Sequence, residues 1–134
     1  MPRGAARHRL RILLAALPLG VLGLPVQAAP ADTLATLWTT LNACVRLADV
    51  PAPALGSEVT VLFSLTRRGA LQGRPRITHA KLAGREGDQQ AFVGEALRAV
   101  SRCLPLDVTE GLGGAIAGRP FRIRITSRRP ERAL

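Results

Sequence analysis

The chain is poor in aromatic residues and in the side chains that most often perform chemistry. Its 134 residues include one Trp, three Phe and no Tyr, and only two Cys and two His. The two cysteines do not form a C-x-x-C motif, which excludes a thioredoxin-like redox pair, and a zinc site would need about four ligands. No serine nucleophile elbow is present, and the carboxylates, Glu95 among them, fall in predicted loops or on polar helix faces. We therefore predict a protein that is not an enzyme and that uses no metal or cofactor.

The N-terminal segment, residues 1–28, has the pattern of a secretory signal peptide. Four arginines lie within residues 3–11, an apolar stretch runs from Leu10 to Leu24, and small residues precede a cleavage position after Ala28. The apolar stretch has fifteen residues with Pro18 inside it, whereas a membrane-spanning helix needs about 20. We predict cleavage after Ala28, export to the periplasm and no membrane span afterwards. An uncleaved anchor is the alternative.

Export determines how the two cysteines, Cys44 and Cys103, are interpreted. Removal of the signal leaves residues 29–134, a chain of 106 residues with 15 basic and nine acidic side chains and a net charge of +6. This length predicts a single domain, with its core at about residues 33–127. Two cysteines in an exported domain predict one structural disulfide between Cys44 and Cys103. The alternatives are buried free thiols, or a cysteine nucleophile paired with His79.

Two helices are predicted by apolar residues that recur near the helical period. The first begins at Asp32 or Thr33 and carries an apolar stripe from Leu34 to Ala48 that includes Cys44. The second begins at Asp88, buries a face that ends at Cys103 and stops at Pro105.

Three strands are predicted by alternation of apolar and polar residues. Residues 58–66 form the first strand and residues 120–127 the last. Residues 71–82 form an irregular second strand, because Gly73 and Pro75 interrupt it. The glycine-rich residues 106–120 show no clear pattern and are predicted to be a loop.

This order of elements predicts an α+β fold, α-β-β-α-β. We expect a two-layer domain with a three-stranded antiparallel sheet of order 2-1-3 and both helices on one face. In this arrangement the third strand lies at an edge of the sheet. Leu62, Phe63, Leu97 and Val100 are predicted to share one core.

The second helix region resembles that of the TolA C-terminal domain. The motif consists of Gly87-Asp88, Phe92, Ala96, Arg98-Ala99-Val100, Cys103 and Pro105. Residues 59–71, with Gly69 at the turn, look like the hairpin of TonB and TolA C-terminal domains, and residues 118–125 look like the final TonB strand.

The resemblance covers about residues 33–127 and implies a TonB/TolA C-terminal-like domain of the cell envelope. The chain departs from those proteins in three respects. No long spacer separates its N-terminal segment from the domain, Cys103-Leu104-Pro105 replaces the aromatic-proline signature of TonB, and Cys44 lies in the first helix rather than on the first strand. The resemblance therefore implies the domain and not the complete energy transducer.

An exposed edge strand predicts a protein-interaction module that pairs with an extended segment of another envelope protein. The candidate residues of this edge are Arg122, Ile123, Arg124, Ile125 and Thr126. For any single arginine, the simpler interpretation is a solvated strand residue that discourages aggregation.

The alternative function is binding of an anionic envelope component, namely lipopolysaccharide, lipid or peptidoglycan, which the net charge of +6 favours. Nucleic acid is not expected, because the few aromatic residues lie on apolar faces where they cannot stack on bases. The sequence does not specify the oligomeric state.

Overall fold

The computed structural model describes Gly20, Gly23, Leu24 and residues 28–128, so the predicted signal peptide lies almost wholly outside the described residues. The elements are α1 (Leu34–Cys44), β1 (Glu58–Leu65), β2 (Leu71–Lys81), α2 (Glu86–Arg102), α3 (Glu110–Ile116) and β3 (Pro120–Thr126), with a 3₁₀ turn at Ala52–Ala54. Both strand pairs are antiparallel, and the sheet order is β2-β1-β3. The predicted α+β fold and strand order are confirmed. Within the described residues, no helix is both long enough and apolar enough to cross a membrane.

The sheet buries one face because buried and exposed residues alternate strictly along β1 and β3. In β1, Val59, Val61, Phe63 and Leu65 are buried, while the residues between them are partly exposed. The core contains Phe63 and Val100, and Leu97 packs against it from a partly buried position. The prediction that Leu62 belongs to this core is wrong, because position 62 points to the opposite face of the sheet.

Helix α1 begins at Leu34 and is capped by Thr33, one of the two predicted caps, whose hydroxyl oxygen accepts a hydrogen bond from the Thr36 N–H at 3.1 Å. It ends at Cys44, not at Ala48, because Val45 adopts an extended backbone conformation. The Ala48 N–H donates instead to the Glu95 carboxylate of α2. This tertiary hydrogen bond replaces the helical one that the apolar stripe predicted.

Helix α2 begins at Glu86, two residues before the predicted cap at Asp88. Asp88 lies in the first turn, where its carboxylate accepts a hydrogen bond from the Arg85 N–H at 3.2 Å. A carboxylate in the first turn also interacts favourably with the helix dipole.

Helix α3 lies within residues 106–120, which were predicted to be a loop. Thr109 caps it by accepting a hydrogen bond from the Leu112 N–H at 3.3 Å, and Leu112 and Ile116 are buried. A Cβ atom at position 113 would lie 2.0 Å from the Arg67 carbonyl oxygen. Glycine at position 113 therefore permits close packing of α3 on the β1–β2 turn.

The predicted disulfide between Cys44 and Cys103 is present and joins the ends of α1 and α2, with Cα atoms 5.9 Å apart. Cys103 is buried, as expected from its apolar helix face. Cys44 is exposed, so the prediction that both cysteines lie on buried stripes is wrong. The reason is its position in the last turn of α1, beyond the buried Leu37 and Leu41.

Candidate functional site

The outer edge of β3 presents unpaired backbone groups. The Ser127 N–H, immediately after β3, donates to the Ser57 carbonyl oxygen at 2.9 Å. Because backbone groups alternate in direction along an antiparallel strand, Ile123 and Ile125 also bond toward β1. Arg122, Arg124 and Thr126 consequently direct their N–H and C=O groups to the open edge. Both isoleucine side chains are buried in the core, whereas the side chains of the other three residues are exposed.

An apolar cavity of about 630 Å³ lies beside the first half of β3, between α1 and α3. Its apolar lining includes Leu34, Trp38, Leu112, Ile116 and Phe121. The Trp38 ring packs edge-on against Phe121, with ring centroids 5.7 Å apart. Two exposed arginines, Arg119 and Arg122, complete the lining.

A second cavity of about 570 Å³ lies beside the other half of β3. Its lining includes Val45, Leu47 and Val50, and also Arg46, Arg124 and Arg128. The first cavity lies between the N-terminal half of α1 and the start of β3. The second lies between the C-terminal end of α1 and the end of β3. Together they border the β3 edge, and we refer to them as the apolar cavity and the basic cavity.

Glu95 fixes the position of residues 46–48, which line the basic cavity. This buried carboxylate accepts a hydrogen bond from the Ala48 N–H at 2.9 Å and pairs with Arg102 at 2.6 Å and with Arg98 at 3.4 Å. Arg102 also donates to the Arg46 carbonyl oxygen at 3.2 Å. The Arg102 hydrogen bond, followed by that of the Ala48 N–H, holds the pKa of Glu95 below its ordinary value.

The prediction that Glu95 lies on a polar helix face is wrong. Position 95 follows the buried Phe92 by three residues and precedes the buried Ala99 by four, so it lies on the apolar stripe of α2. A carboxylate on such a stripe was the available sequence signal for a buried, partnered group.

The sheet face opposite the helices is basic. Arg76 of β2 and Arg122 of β3 lie directly across from Leu62, one on each side of β1. In the neighbouring row, Arg124 lies across from Thr60 and pairs with the Glu58 carboxylate at 2.5 Å. The hydrogen bond from Arg124 lowers the pKa of Glu58.

The β2 edge is irregular where the β3 edge is regular. Its register with β1 shifts between Thr60 and Val61 and again between Leu62 and Ser64. Gly73 has a φ of 72°, and Pro75 has no N–H to donate. A strand that approached β2 would therefore meet an interrupted row of backbone groups.

The structure brings the five predicted edge residues together on β3, with three of them facing outward. Within residues 28–128, no group of three or more His, Cys, Asp or Glu side chains is placed to hold a metal ion. The apolar cavity could not be predicted from the sequence, because one of its walls is α3, which was predicted to be a loop.

Residues 27–129 match the model of a protein family described as Uncharacterised conserved protein UCP034077. No curated protein and no solved structure matches the chain.

Proposed function

The chain belongs to the family described as Uncharacterised conserved protein UCP034077, and we propose that it is a non-enzymatic protein-interaction module of the cell envelope. In this proposal it binds an extended segment of another envelope protein, which pairs with the open edge of β3. The observation that carries the proposal is the regular, uncovered edge of β3 with a cavity beside each of its halves. Such an edge offers main-chain hydrogen bonds to an added strand, and the neighbouring cavities accept alternate side chains.

The length of the edge sets the size of the partner segment. Arg122, Arg124 and Thr126 each supply an outward N–H, whereas Pro120 has none. Three donors with their carbonyl acceptors suit a short segment rather than a whole sheet. The likeness to TonB and TolA C-terminal domains is part of this proposal. It is supported by a hairpin that is followed by helix α2 and an edge strand, although α3 lies between α2 and that strand.

Export to the periplasm is also part of the proposal. It is supported by the signal-like residues 1–28, by the Cys44–Cys103 disulfide, and by a family match that starts at residue 27. Mass spectrometry of the protein purified from the cell envelope is expected to find a chain that starts at Ala29. An intact N-terminus in the membrane fraction would contradict cleavage and support the anchored alternative.

A second candidate function is binding of an anionic envelope component. The basic sheet face favours it, because Arg76 and Arg122 flank Leu62 while Arg124 lies in the next row. Binding of this kind weakens steeply with added salt, since exposed charges are screened. Strand pairing through main-chain groups depends less on salt.

The experiment compares the two edges in cells. A photoreactive amino acid is placed at Thr126 on β3 or at Arg76 on β2, and crosslinked proteins are identified by mass spectrometry. The proposal predicts a crosslink from position 126 to a defined segment of another envelope protein, and none to that segment from position 76.

The crosslinked segment is then synthesised and its affinity is measured. Arg124→Pro removes the backbone donor at the open edge, whereas the control Arg124→Ala keeps this donor and removes only the side chain. Binding that is lost in the proline variant and retained in the alanine variant supports strand pairing. Equal binding by both variants would overturn it.

A further inference from the structure

We infer that the partner segment carries one bulky apolar side chain that enters the apolar cavity and acidic side chains that face the arginines of the β3 edge. This inference rests on the proposed pairing with β3 and specifies the chemistry of the segment. It follows from the arrangement of the apolar cavity, the basic cavity and the open backbone edge.

A segment that pairs with β3 sends every second side chain to the helix side of the sheet and the others to the opposite face. On the helix side, next to Phe121, it meets the apolar cavity of about 630 Å³. This cavity has room for a Leu, Phe or Trp side chain at the position opposite the start of β3.

Leu34 of α1 lines the apolar cavity. Its exposure is 48%, and Leu24 is the other large exposed apolar residue in the part of the chain that the structure describes. Trp38, which is partly exposed, lies one helical turn further along α1 and faces the same cavity. An apolar side chain of the partner would remove both residues from water, which favours binding in proportion to the area covered.

The rim of the two cavities is basic. Five arginines line the two cavities: Arg46, Arg119, Arg122, Arg124 and Arg128. Within the described residues, the carboxylates in ion pairs are Glu95, which pairs with Arg98 and Arg102, and Glu58, which pairs with Arg124. No described carboxylate pairs with Arg119 or Arg122. An acidic segment would be complementary to this rim, and a basic segment would be repelled.

The experiment is a selection of short random peptides, displayed on phage, against the full chain expressed with its own N-terminus and purified from the envelope. We expect enrichment of peptides with Leu, Phe or Trp at one fixed position and Asp or Glu at neighbouring positions. Peptides that bind with no preference at these positions would overturn the inference.

Two pairs of variants test the contacts with one selected peptide. Leu34→Glu places a charge at the apolar cavity. The variant is expected to fold, because position 34 lies in the first turn of α1, where a carboxylate interacts favourably with the helix dipole. We expect affinity to fall about tenfold. The control is Ala35→Glu, an exposed neighbour in the same turn that does not line the cavity, with an expected change below about twofold.

Arg122→Glu is expected to weaken the peptide about tenfold by reversing a charge beside the bound segment. Its control is Arg76→Glu, which changes the same face of the sheet on the far side of Leu62. Equal losses from both variants would show that the peptide binds the basic face as a whole, which would overturn the inference.

Failure of the inference differs from failure of the proposed function. Selected peptides that depend on the Arg124 N–H, as tested with Arg124→Pro, but lack the apolar and acidic residues overturn the inference and leave strand pairing in place. Selected peptides that bind Arg124→Pro and Arg124→Ala equally well overturn both, as does a selection that enriches no peptide.

Discussion

The two edge strands of this sheet differ in regularity and in surroundings. β2 is longer, but Gly73, Pro75 and two register shifts interrupt its pairing with β1. β3 is shorter and pairs with β1 without a shift over its whole length. α1 and α3 contribute to cavities beside β3, whereas residues of β2 line neither of these cavities.

The comparison shows how one sheet can carry both a protected edge and an available edge. Natural sheets blunt exposed edges with bulges, proline and charges, because an unpaired strand invites aggregation. β2 carries the backbone devices, Gly73 and Pro75, in addition to charge. β3 carries exposed arginines and keeps a regular backbone, so that its edge remains able to pair.

The largest expected effect comes from the disulfide, which joins the end of α1 to the end of α2. Cys44→Ser combined with Cys103→Ser opens a loop with a sequence separation of 59 residues. The chain-entropy model gives a loss of about 4 kcal/mol in the free energy of unfolding, measurable by denaturant titration. Hydrogen exchange is expected to quicken more in α1 and β3 than in β2, because the bond holds α1.

Reduced wild-type protein is the control and is expected to match the double variant. An unchanged free energy of unfolding would show that packing alone holds α1, and the difference between the two edges would not depend on the bond.

The next largest effect on stability is expected at Glu95, which fixes the position of residues that line the basic cavity. Glu95→Gln keeps an oxygen for the Ala48 N–H but removes the charge that pairs with Arg102. We expect a loss of about 2 kcal/mol, as for a buried hydrogen-bonded charge. The matched control is Glu86→Gln, an exposed change in the first turn of the same helix, which is expected to alter stability by less than about 0.5 kcal/mol.

The same carboxylate makes stability depend on pH. Folding lowers the pKa of Glu95, so its contribution is complete above the unfolded value of about 4.3 and is lost as the pH falls through the lower folded value. Denaturant titrations are expected to show a smaller difference between wild type and Glu95→Gln at pH 3 than at pH 7. A difference that is independent of pH would contradict this role for the carboxylate.

The strands and the disulfide partners could be predicted because each has a local signal, and the strand order could be predicted from the long crossover between the second and third strands. Val59 to Leu65 alternate strictly, and the chain has only two cysteines. Helix α3 could not be predicted, because its glycine-rich sequence is typical of a loop. The need for glycine at position 113 comes from the Arg67 carbonyl oxygen that packs against it, a contact that only the structure shows. The apolar cavity depends on α3 and was missed for the same reason.

The hydrogen bond between Glu95 and Ala48 could not be predicted from the sequence either. Its place on the apolar stripe of α2 was visible, but its backbone partner, Ala48, lies 47 residues away. A side chain that bonds to the backbone of a distant loop leaves no periodic pattern at that loop. The early end of α1 was unpredictable for this reason.

A smaller effect is expected at the β2 edge. Gly73 has a φ of 72°, and a Cβ atom added there would have no other atom within 4 Å, so Gly73→Ala adds backbone strain without a steric clash. A residue with a Cβ in this conformation costs about 1 kcal/mol. The control is Gly87→Ala in α2, also in open space but with a helical backbone, where alanine is expected to stabilise by up to about 1 kcal/mol. Neither change is expected to alter peptide affinity, and a loss of affinity in Gly73→Ala would place part of the binding site on β2.

The smallest effect is expected when the arginines of β3 are removed. Two copies that pair through their β3 edges would bring Arg122 and Arg124 of one copy close to the same residues of the other, and like charges at paired positions oppose association. Arg122→Thr combined with Arg124→Thr removes this repulsion and keeps every backbone donor of the regular edge. We expect concentration-dependent self-association with a dissociation constant between roughly 0.1 and 1 mM, measured by sedimentation equilibrium.

The control is Arg74→Thr combined with Arg76→Thr, which removes the same charge from β2 and leaves Gly73 and Pro75 in place. This control is expected to sediment like wild type, because charge is not what keeps the β2 edge from pairing. Equal self-association of both double variants would mean that charge protects both edges alike, and the irregular backbone of β2 would then have no protective role.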